Sequence, residues 1–178
     1  FKESHMKVSN EIINIFPEIK KWRHELHAHP ELGYEEEWTS NFVAEKLESF
    51  GLEIHRGMAT TGVVGVLKGA NASLGGGGNK AIGLRADMDA LPMTEENDFS
   101  YKSKFDGRMH ACGHDGHTAM LLGAAKLLSS KKDFDGTVYF IFQPAEEGGG
   151  GGLAMIEDGL FQQFPMDSVW GMHNWPGM

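Results

Sequence analysis

Thr137-Val-Tyr-Phe-Ile-Phe142 is apolar at nearly every position, whereas a strand with one face in water alternates apolar and polar residues. Such a strand is covered on both faces, which is typical of parallel sheets that carry helices on either side. The stretch therefore predicts the centre of a layered α/β domain.

The helical spacing of apolar residues predicts four helices, over residues 12–26, 38–50, 118–128 and 153–157. Pro17 divides the first of them into two short helices or kinks a single one. Asp115 is placed to cap the third helix. The side chains predicted to point inward from this third helix are Met120, Leu121, Ala124, Ala125 and Leu128.

Further strands are predicted at residues 52–55, 62–67, 81–86 and 168–172. The glycine-rich residues 75–78 are typical of the tip of a hairpin, which would join the second of these strands to the third. The order of helices and strands predicts an α/β fold, a three-layer domain with a mixed, largely parallel central sheet flanked by helices.

Composition excludes several classes of protein. The 178 residues are 40% hydrophobic, enough for a core, and the net charge of −9 argues against nucleic acid or an anionic membrane as a partner. No apolar run approaches the ~20 residues of a membrane span, no leader is recognisable, and one cysteine cannot form an internal disulfide. A cytoplasmic protein is therefore expected. Ser4-His5-Met6 is typical of an expression-vector remnant, so residues 1–5 are set aside.

Residues 109–118 contain the only cysteine of the chain, three of its nine histidines and an aspartate. A lone cysteine is commonly a small buried hydrophobe, but a packed core gains nothing from so many polar residues together. Thiolate and imidazole suit zinc and its first-row neighbours. In an extended segment, alternate residues point the same way, so Cys112 and His114 are predicted to bind one ion together.

Polar side chains also follow three of the predicted strands at their carboxyl ends, namely Asp87, Asp89, Glu146, Glu147 and His173. Open α/β sheets bind ligands in the crevice beyond those ends, and His114 faces the same rim from a helix start. Taken singly, a Glu-Glu pair is commonly a solvated surface pair, and Asp-x-Asp is as often a turn. Their shared position favours one common site.

Other polar residues are expected to be structural. Arg85 is placed to pair with a nearby aspartate and hold it rigid. His24, His27 and His29 flank a helix end and are interpreted as structural, and His55 as a surface strand residue.

Five segments in order, residues 22–33, 84–92, 109–118, 142–147 and 171–173, are similar to the successive motifs of one enzyme family. This family is the hippurate hydrolase and N-acyl-amino-acid amidohydrolase branch of the dinuclear metallopeptidases, which includes the plant auxin-conjugate hydrolases. The resemblance runs across nearly the whole chain.

The resemblance implies a role for each matching residue. The implied metal ligands are Cys112, His114, Glu147 and His173, and Glu146 is the implied general base. Asp89 is counted with Glu146 among the implied catalytic residues, since it matches an aspartate that stands behind the metal site in the wider group. Asp89 and Asp87 are expected to support the site from behind its ligands, and His110 and His117 to orient groups or form hydrogen bonds. Two divalent ions per full-length subunit are implied, with zinc, manganese, cobalt or nickel as candidates.

The activity implied by the resemblance is metal-dependent hydrolysis of the amide bond of N-acyl amino acids, of N-acetyl or N-benzoyl type. Residues 6–178 would form the N-terminal part of the catalytic domain. A lid and dimerisation domain and the remaining catalytic part would be absent, so these residues alone are expected to be inactive. The full-length protein would be a homodimer or homotetramer.

Three alternatives stay open. One is a metallo-dipeptidase or carboxypeptidase of the same superfamily, and another is a fragment that binds metal without catalysis. The third is a dinucleotide-binding module, because the glycine-rich residues 148–152 lie between a strand and a helix, with Asp167 further on. Glu146 and Glu147 argue against this last alternative, since they would repel a pyrophosphate.

Overall fold

The computed structural model describes residues 8–70 and 80–175. Their helices are α1 (Asn10–Ala28), α2 (Glu37–Ser49), α3 (His114–Lys131), α4 (Gly151–Glu157) and α5 (Leu160–Gln163). The strands are β1 (Glu53–Met58), β2 (Gly62–Lys68), β3 (Ala81–Asp87), β4 (Thr137–Gln143) and β5 (Ser168–Gly171). Over these ranges, no helix combines the length and the apolar character needed to cross a bilayer.

The five strands form one mixed sheet in the order β1-β2-β4-β3-β5. Strand β4 lies at its centre, parallel to β3 and antiparallel to β2, while β5 extends the sheet in parallel beyond β3. Phe140 and Phe142 of β4 are fully buried. The predicted fold class is confirmed, and the apolar stretch does occupy the centre of the sheet.

Helices cover both faces of the sheet, which gives the three predicted layers. Phe140 and Phe142 pack with side chains of α1, α2 and α3, including Leu26, Leu47 and Leu122. Ile141 points to the opposite face, because side chains alternate along a strand. There it packs with residues of α4, α5 and the segment after them, among them Met155, Leu160 and Phe164.

The predicted hairpin between residues 62–67 and 81–86 is wrong. Strand β4 lies between these two segments, with Val63 paired to Phe142 on one side and Leu84 paired to Phe140 on the other. When both faces of a strand are buried, its backbone N–H and C=O groups cannot bond to water and need a partner strand on each edge. Strand β4 is therefore inserted between two strands that follow each other in sequence. The glycines at 75–78 lie outside the described residues, and β2 instead forms its hairpin with β1.

Three helix details also differ from the predictions. Helix α1 continues through Pro17 as one helix and ends at Ala28, so the version with two short helices is wrong. Helix α3 begins at His114 rather than at residue 118, so Gly113 occupies the N-cap without a side-chain cap, and Asp115 lies inside the first turn, where its carboxylate contacts His27. Met120 is 39% exposed and does not face the core.

The Asp115 carboxylate belongs to a buried charge network between α1 and α3. Its Oδ2 accepts hydrogen bonds from Arg23 Nε at 2.9 Å and His27 Nδ1 at 2.8 Å. His27 Nε2 lies 3.0 Å from Glu95 Oε1. Burial by itself lowers the pKa of His27, but the hydrogen bonds to Asp115 and Glu95 outweigh it and raise the pKa. His27 is therefore structural, as predicted.

Substitution of His27 by glutamine is expected to destabilise the protein by about 2–3 kcal/mol at pH 6, because two buried carboxylates lose a charged partner. The loss should be smaller at pH 9. A raised pKa means that the charge contribution is fully present below the unfolded value of 6.5 and disappears as pH rises through the folded value. Denaturant unfolding at both pH values measures this.

The matched control is His55→Gln on strand β1, since the His55 side chain is 40% exposed and its carboxylate neighbour Glu53 is more exposed still. This control should change the free energy of unfolding by less than about 0.5 kcal/mol at either pH. A His27→Gln penalty that is the same at pH 6 and pH 9 would contradict the assignment of a charged imidazole.

Candidate metal centre

The side chains at the carboxyl ends of the strands converge, as predicted. Asp87 ends β3, Glu146 and Glu147 follow β4, and His114 begins α3. The three nearest carboxylate oxygens lie 3.6 Å (Asp87), 3.8 Å (Glu146) and 3.9 Å (Glu147) from His114 Nε2. These groups therefore surround one point at the rim of the sheet.

His114 presents an unpaired nitrogen to this point. Its Nδ1 lies 2.9 Å from the Asp89 carbonyl and 3.2 Å from Asp89 Oδ1, both of which can only accept, so Nδ1 carries the proton. Nε2 is buried and has no hydrogen-bond partner among the described residues. A divalent cation would satisfy both this buried nitrogen and the carboxylates around it.

Cys112 and His173 close the other side of the site. Cys112 Sγ lies 3.4 Å from His173 Nε2, and His173 Nδ1 donates to the Asn174 carbonyl at 2.6 Å, which leaves Nε2 free to bind. Cys112 and His114 are not in an extended segment as expected, because Gly113 (φ 102°) turns the chain into α3 between them. Both side chains nevertheless reach the same site.

The residues fit a metal ion by the chemistry of their donor atoms. Potential ligand atoms within 4.8 Å of one another occur in three groups that share His114: with Cys112 and His173, with Glu146 and Glu147, and with Asp87 and His117. Burial and the negative charge of Glu147 and Glu146 raise the pKa of Cys112 to about 11. Without a cation, the neighbouring carboxylates of the site would repel one another and the Cys112 thiol would stay protonated. A divalent ion would offset the repulsion and stabilise the thiolate.

The two aspartates lie on opposite sides of the His114 ring, Asp87 beside Nε2 and Asp89 beside Nδ1. Asp89 Oδ2 accepts the Glu147 backbone N–H at 2.8 Å, so Asp89 contacts both Glu147 and His114. Asp87 lies between Arg85 Nη1 and His117 Nδ1, each 2.7 Å away, which confirms the expected pairing of Arg85 with an aspartate. Burial alone raises the pKa of both carboxyl groups, but their histidine partners outweigh it and lower the pKa.

His110 differs from its neighbours in the same motif. Its ring is buried, and neither nitrogen has a hydrogen-bond partner among the described residues. Burial lowers its pKa to about 4, so the ring is neutral near pH 7. A hydrogen-bonding role was expected for His110, but its ring has no partner in the described part of the chain.

Sequence reasoning missed Glu36, which supports the loop that carries Glu146. Glu36 is fully buried; its Oε1 accepts the Ala145 N–H at 2.9 Å and its Oε2 accepts the Thr61 hydroxyl at 2.6 Å. Ala145 has a left-handed backbone (φ 49°), which this contact helps to hold. In sequence, Glu36 is the middle of three consecutive glutamates, a pattern typical of a solvated surface.

Replacement of Glu36 by alanine is expected to lower the free energy of unfolding by about 2–4 kcal/mol, since two buried donors lose their acceptor and a cavity remains. Denaturant unfolding measures the change. Glu45→Ala on the exposed side of α2 is the matched control, with an expected change below about 0.5 kcal/mol. Equal effects of the two substitutions would show that the buried contacts of Glu36 are not stabilising.

The fold and this site define an α/β domain of the metallopeptidase type. Residues 83–178 match the model of peptidase family M20/M25/M40, and the chain belongs to this family.

Comparison with individual proteins agrees with this assignment. The chain is 53% identical over 171 residues to a hippurate hydrolase of Campylobacter jejuni, covering 96% of this chain and 43% of that one. It is 46% identical over 172 residues to an N-acyl-L-amino acid amidohydrolase of Geobacillus stearothermophilus, covering 93% and 44%. The YXEP protein of Bacillus subtilis, described as a dinuclear metal binding peptidase from the M20 family, superposes with a TM-score of 0.84 at 38% identity, covering 93% and 45%. The chain thus spans less than half the length of these proteins.

Proposed function

We propose that the chain supplies the metal site of an amidohydrolase that cleaves the amide bond of N-acyl amino acids. One observation carries this proposal: the buried Nε2 of His114, which has no hydrogen-bond partner in the described part of the chain, faces Glu146 and Glu147. A site of this composition, whose candidate ligands among the described residues include neither lysine nor arginine, is suited to a cation rather than to a phosphate. The same carboxylates argue against the dinucleotide-binding alternative.

The proposed ligands are Cys112, His114, Glu147 and His173, and together they would contribute to a site for two divalent ions. Asp89 would keep His114 in the binding tautomer and fix the backbone of Glu147, as its two contacts support. A thiolate ligand favours zinc, manganese, cobalt or nickel over magnesium. Bound ions would lower the pKa of a water molecule and polarise the scissile carbonyl.

Glu146 is proposed as the general base. Its side chain is 42% exposed, while one oxygen lies 3.8 Å from His114 Nε2, so it borders both the candidate metal position and solvent. It would take a proton from the attacking water as oxygen adds to the amide carbon. It would then return this proton to the leaving nitrogen as the C–N bond breaks, which yields a carboxylate and a free amino acid.

The proposed substrates are N-acetyl and N-benzoyl amino acids. Their support is the identity to two proteins named for hydrolysis of hippurate and of N-acyl-L-amino acids. Metal identity, a cytoplasmic location and a homodimeric or homotetrameric full-length protein remain predictions from the sequence.

The test uses the full-length protein, stripped of metal and reloaded separately with zinc, manganese, cobalt or nickel. Release of free amino acid is measured from a panel of N-acetyl and N-benzoyl amino acids and, in parallel, from dipeptides. Metal-dependent release from the acylated amino acids, in excess over the dipeptides, is expected. A preference for dipeptides would favour the peptidase alternative, and no release with any metal would refute the proposal. Residues 1–178 alone are expected to be inactive.

A further inference from the structure

His117 and Asn174 connect the start of α3 to the end of β5. The Asn174 backbone N–H donates to His117 Nε2 at 3.0 Å, and the Asn174 side-chain oxygen lies 2.5 Å from the same nitrogen. Asn174 therefore offers a donor to the neutral ring and an acceptor to the charged ring. Asn174 thus contacts His117 Nε2 through both its backbone and its side chain.

The His117 ring is itself held rigidly. It is 3% exposed, and its Nδ1 donates to Asp87 Oδ1 at 2.7 Å. Asp87 is fixed in turn by Arg85, and its backbone carbonyl accepts the Thr118 hydroxyl at 2.9 Å. An exposed residue that binds such a ring acquires a defined position.

Asn174 passes this position on to its neighbour His173. The His173 Nδ1 donates to the Asn174 carbonyl, so the residue that contacts His117 also sets the tautomer of His173 and directs its Nε2 towards Cys112. This contact matters because His173 is exposed and follows an edge strand of only four residues, which by itself gives the side chain little support. Gly113 leaves room for the Asn174 side chain, since a Cβ there would lie 2.3 Å from its oxygen.

We propose that His117 is a positioning residue that acts through Asn174 to orient the candidate ligand His173. This inference rests on the proposed function, because it presumes that His173 binds metal. His117 need not bind the ion itself: its two nitrogens are used by Asp87 and Asn174.

Two substitutions separate the two contacts of the ring. The amide of His117→Gln reaches the position of Nε2 and can keep the contact with Asn174, whereas the shorter His117→Asn reaches the position of Nδ1 and can keep only Asp87. The affinity of the full-length protein for Co²⁺ is measured by titration, together with the sulfur-to-cobalt charge-transfer band of Cys112. Circular dichroism of the metal-free variants checks folding.

We expect His117→Asn to weaken Co²⁺ binding about tenfold and His117→Gln to stay within about threefold of the unaltered protein. In a His173→Ala background, His117→Asn should have no further effect, since the ligand that it positions is gone. Asn174→Ala, at an exposed position, should also weaken binding, and less than additively with His117→Asn.

If His117→Gln bound Co²⁺ more weakly than His117→Asn, the main role of His117 would be to support Asp87, and the proposal would be overturned. Additive effects of His117→Asn and His173→Ala would also overturn it. If the unaltered protein takes up neither Co²⁺ nor zinc, manganese or nickel, the proposed function fails and this inference fails with it. Normal uptake that His117→Asn leaves unchanged refutes the inference alone.

Discussion

Replacement of Glu146 by glutamine is expected to reduce the hydrolysis of N-acyl amino acids by about 10²–10⁴-fold while the metal content stays unchanged. Glutamine keeps the size of the side chain and one oxygen but cannot take up a proton. Since Glu147 and His114 are the proposed ligands, the ion should remain bound. The loss should therefore fall on kcat, with KM changed by less than about threefold.

Glu147→Gln provides the contrast at the adjacent position. The Glu147 backbone N–H is bound to Asp89, which directs the Glu147 side chain towards the candidate metal position. Loss of the Glu147 carboxylate should therefore remove metal together with activity. Glu157→Gln, exposed at the end of α4, is the matched control and should change neither property. Elemental analysis and steady-state kinetics on the same preparations measure both. Full turnover by Glu146→Gln would exclude Glu146 as the base.

The central strand and the shared rim could be predicted because both depend on local pattern. A continuous apolar run such as residues 137–142 requires cover on both faces wherever it lies. Polar residues that follow parallel strands meet at one edge of the sheet, so the meeting of Asp87, Glu146 and Glu147 with His114 follows from topology.

Strand order and long-range polar partners could not be predicted in the same way. The hairpin prediction assumed that neighbours in sequence are neighbours in the sheet. In the structure β4 lies between β2 and β3, where the backbone of this buried strand finds hydrogen-bond partners on both edges. Asp115 has the residue type of a cap but lies inside the first turn of α3, and its partner His27 is 88 residues away in sequence. A buried ion pair outweighs a solvated cap only in the folded chain, so local propensity does not reveal it.

The supporting residues of the site are the least visible in sequence. Glu36 stands in a run of three glutamates, and Asn174 looks like an ordinary loop residue. Glu36 acts on the backbone N–H of Ala145, and Asn174 acts on His173 through its own backbone carbonyl, and any residue type supplies such groups. The resemblance to a family locates ligands by motif, while the residues that hold those ligands require the three-dimensional arrangement.

Cys112→Ala is expected to weaken metal binding by at least about tenfold, and to change how that binding depends on pH. Burial and the surrounding carboxylates raise the pKa of the Cys112 thiol to about 11, so the metal-free site carries a thiol at neutral pH. Binding through sulfur must release this proton. The affinity of the unaltered protein should therefore rise with pH. The variant should release one proton fewer when it binds metal, so its affinity should depend less steeply on pH.

Titration of Co²⁺ into the full-length protein between pH 7 and pH 9 measures this directly. The logarithm of the affinity plotted against pH should have a slope smaller by about one in Cys112→Ala than in the unaltered protein, because the thiol is protonated throughout this range. Proton release by any other ligand is common to both proteins and cancels in the difference. Cys112→Ser should resemble the alanine variant, since a hydroxyl is a far weaker acid than a thiol, and His55→Ala should resemble the unaltered protein. If Cys112→Ala retained both the affinity and the slope, the ion would be bound without sulfur, and the carboxylates with His114 and His173 would have to account for it alone.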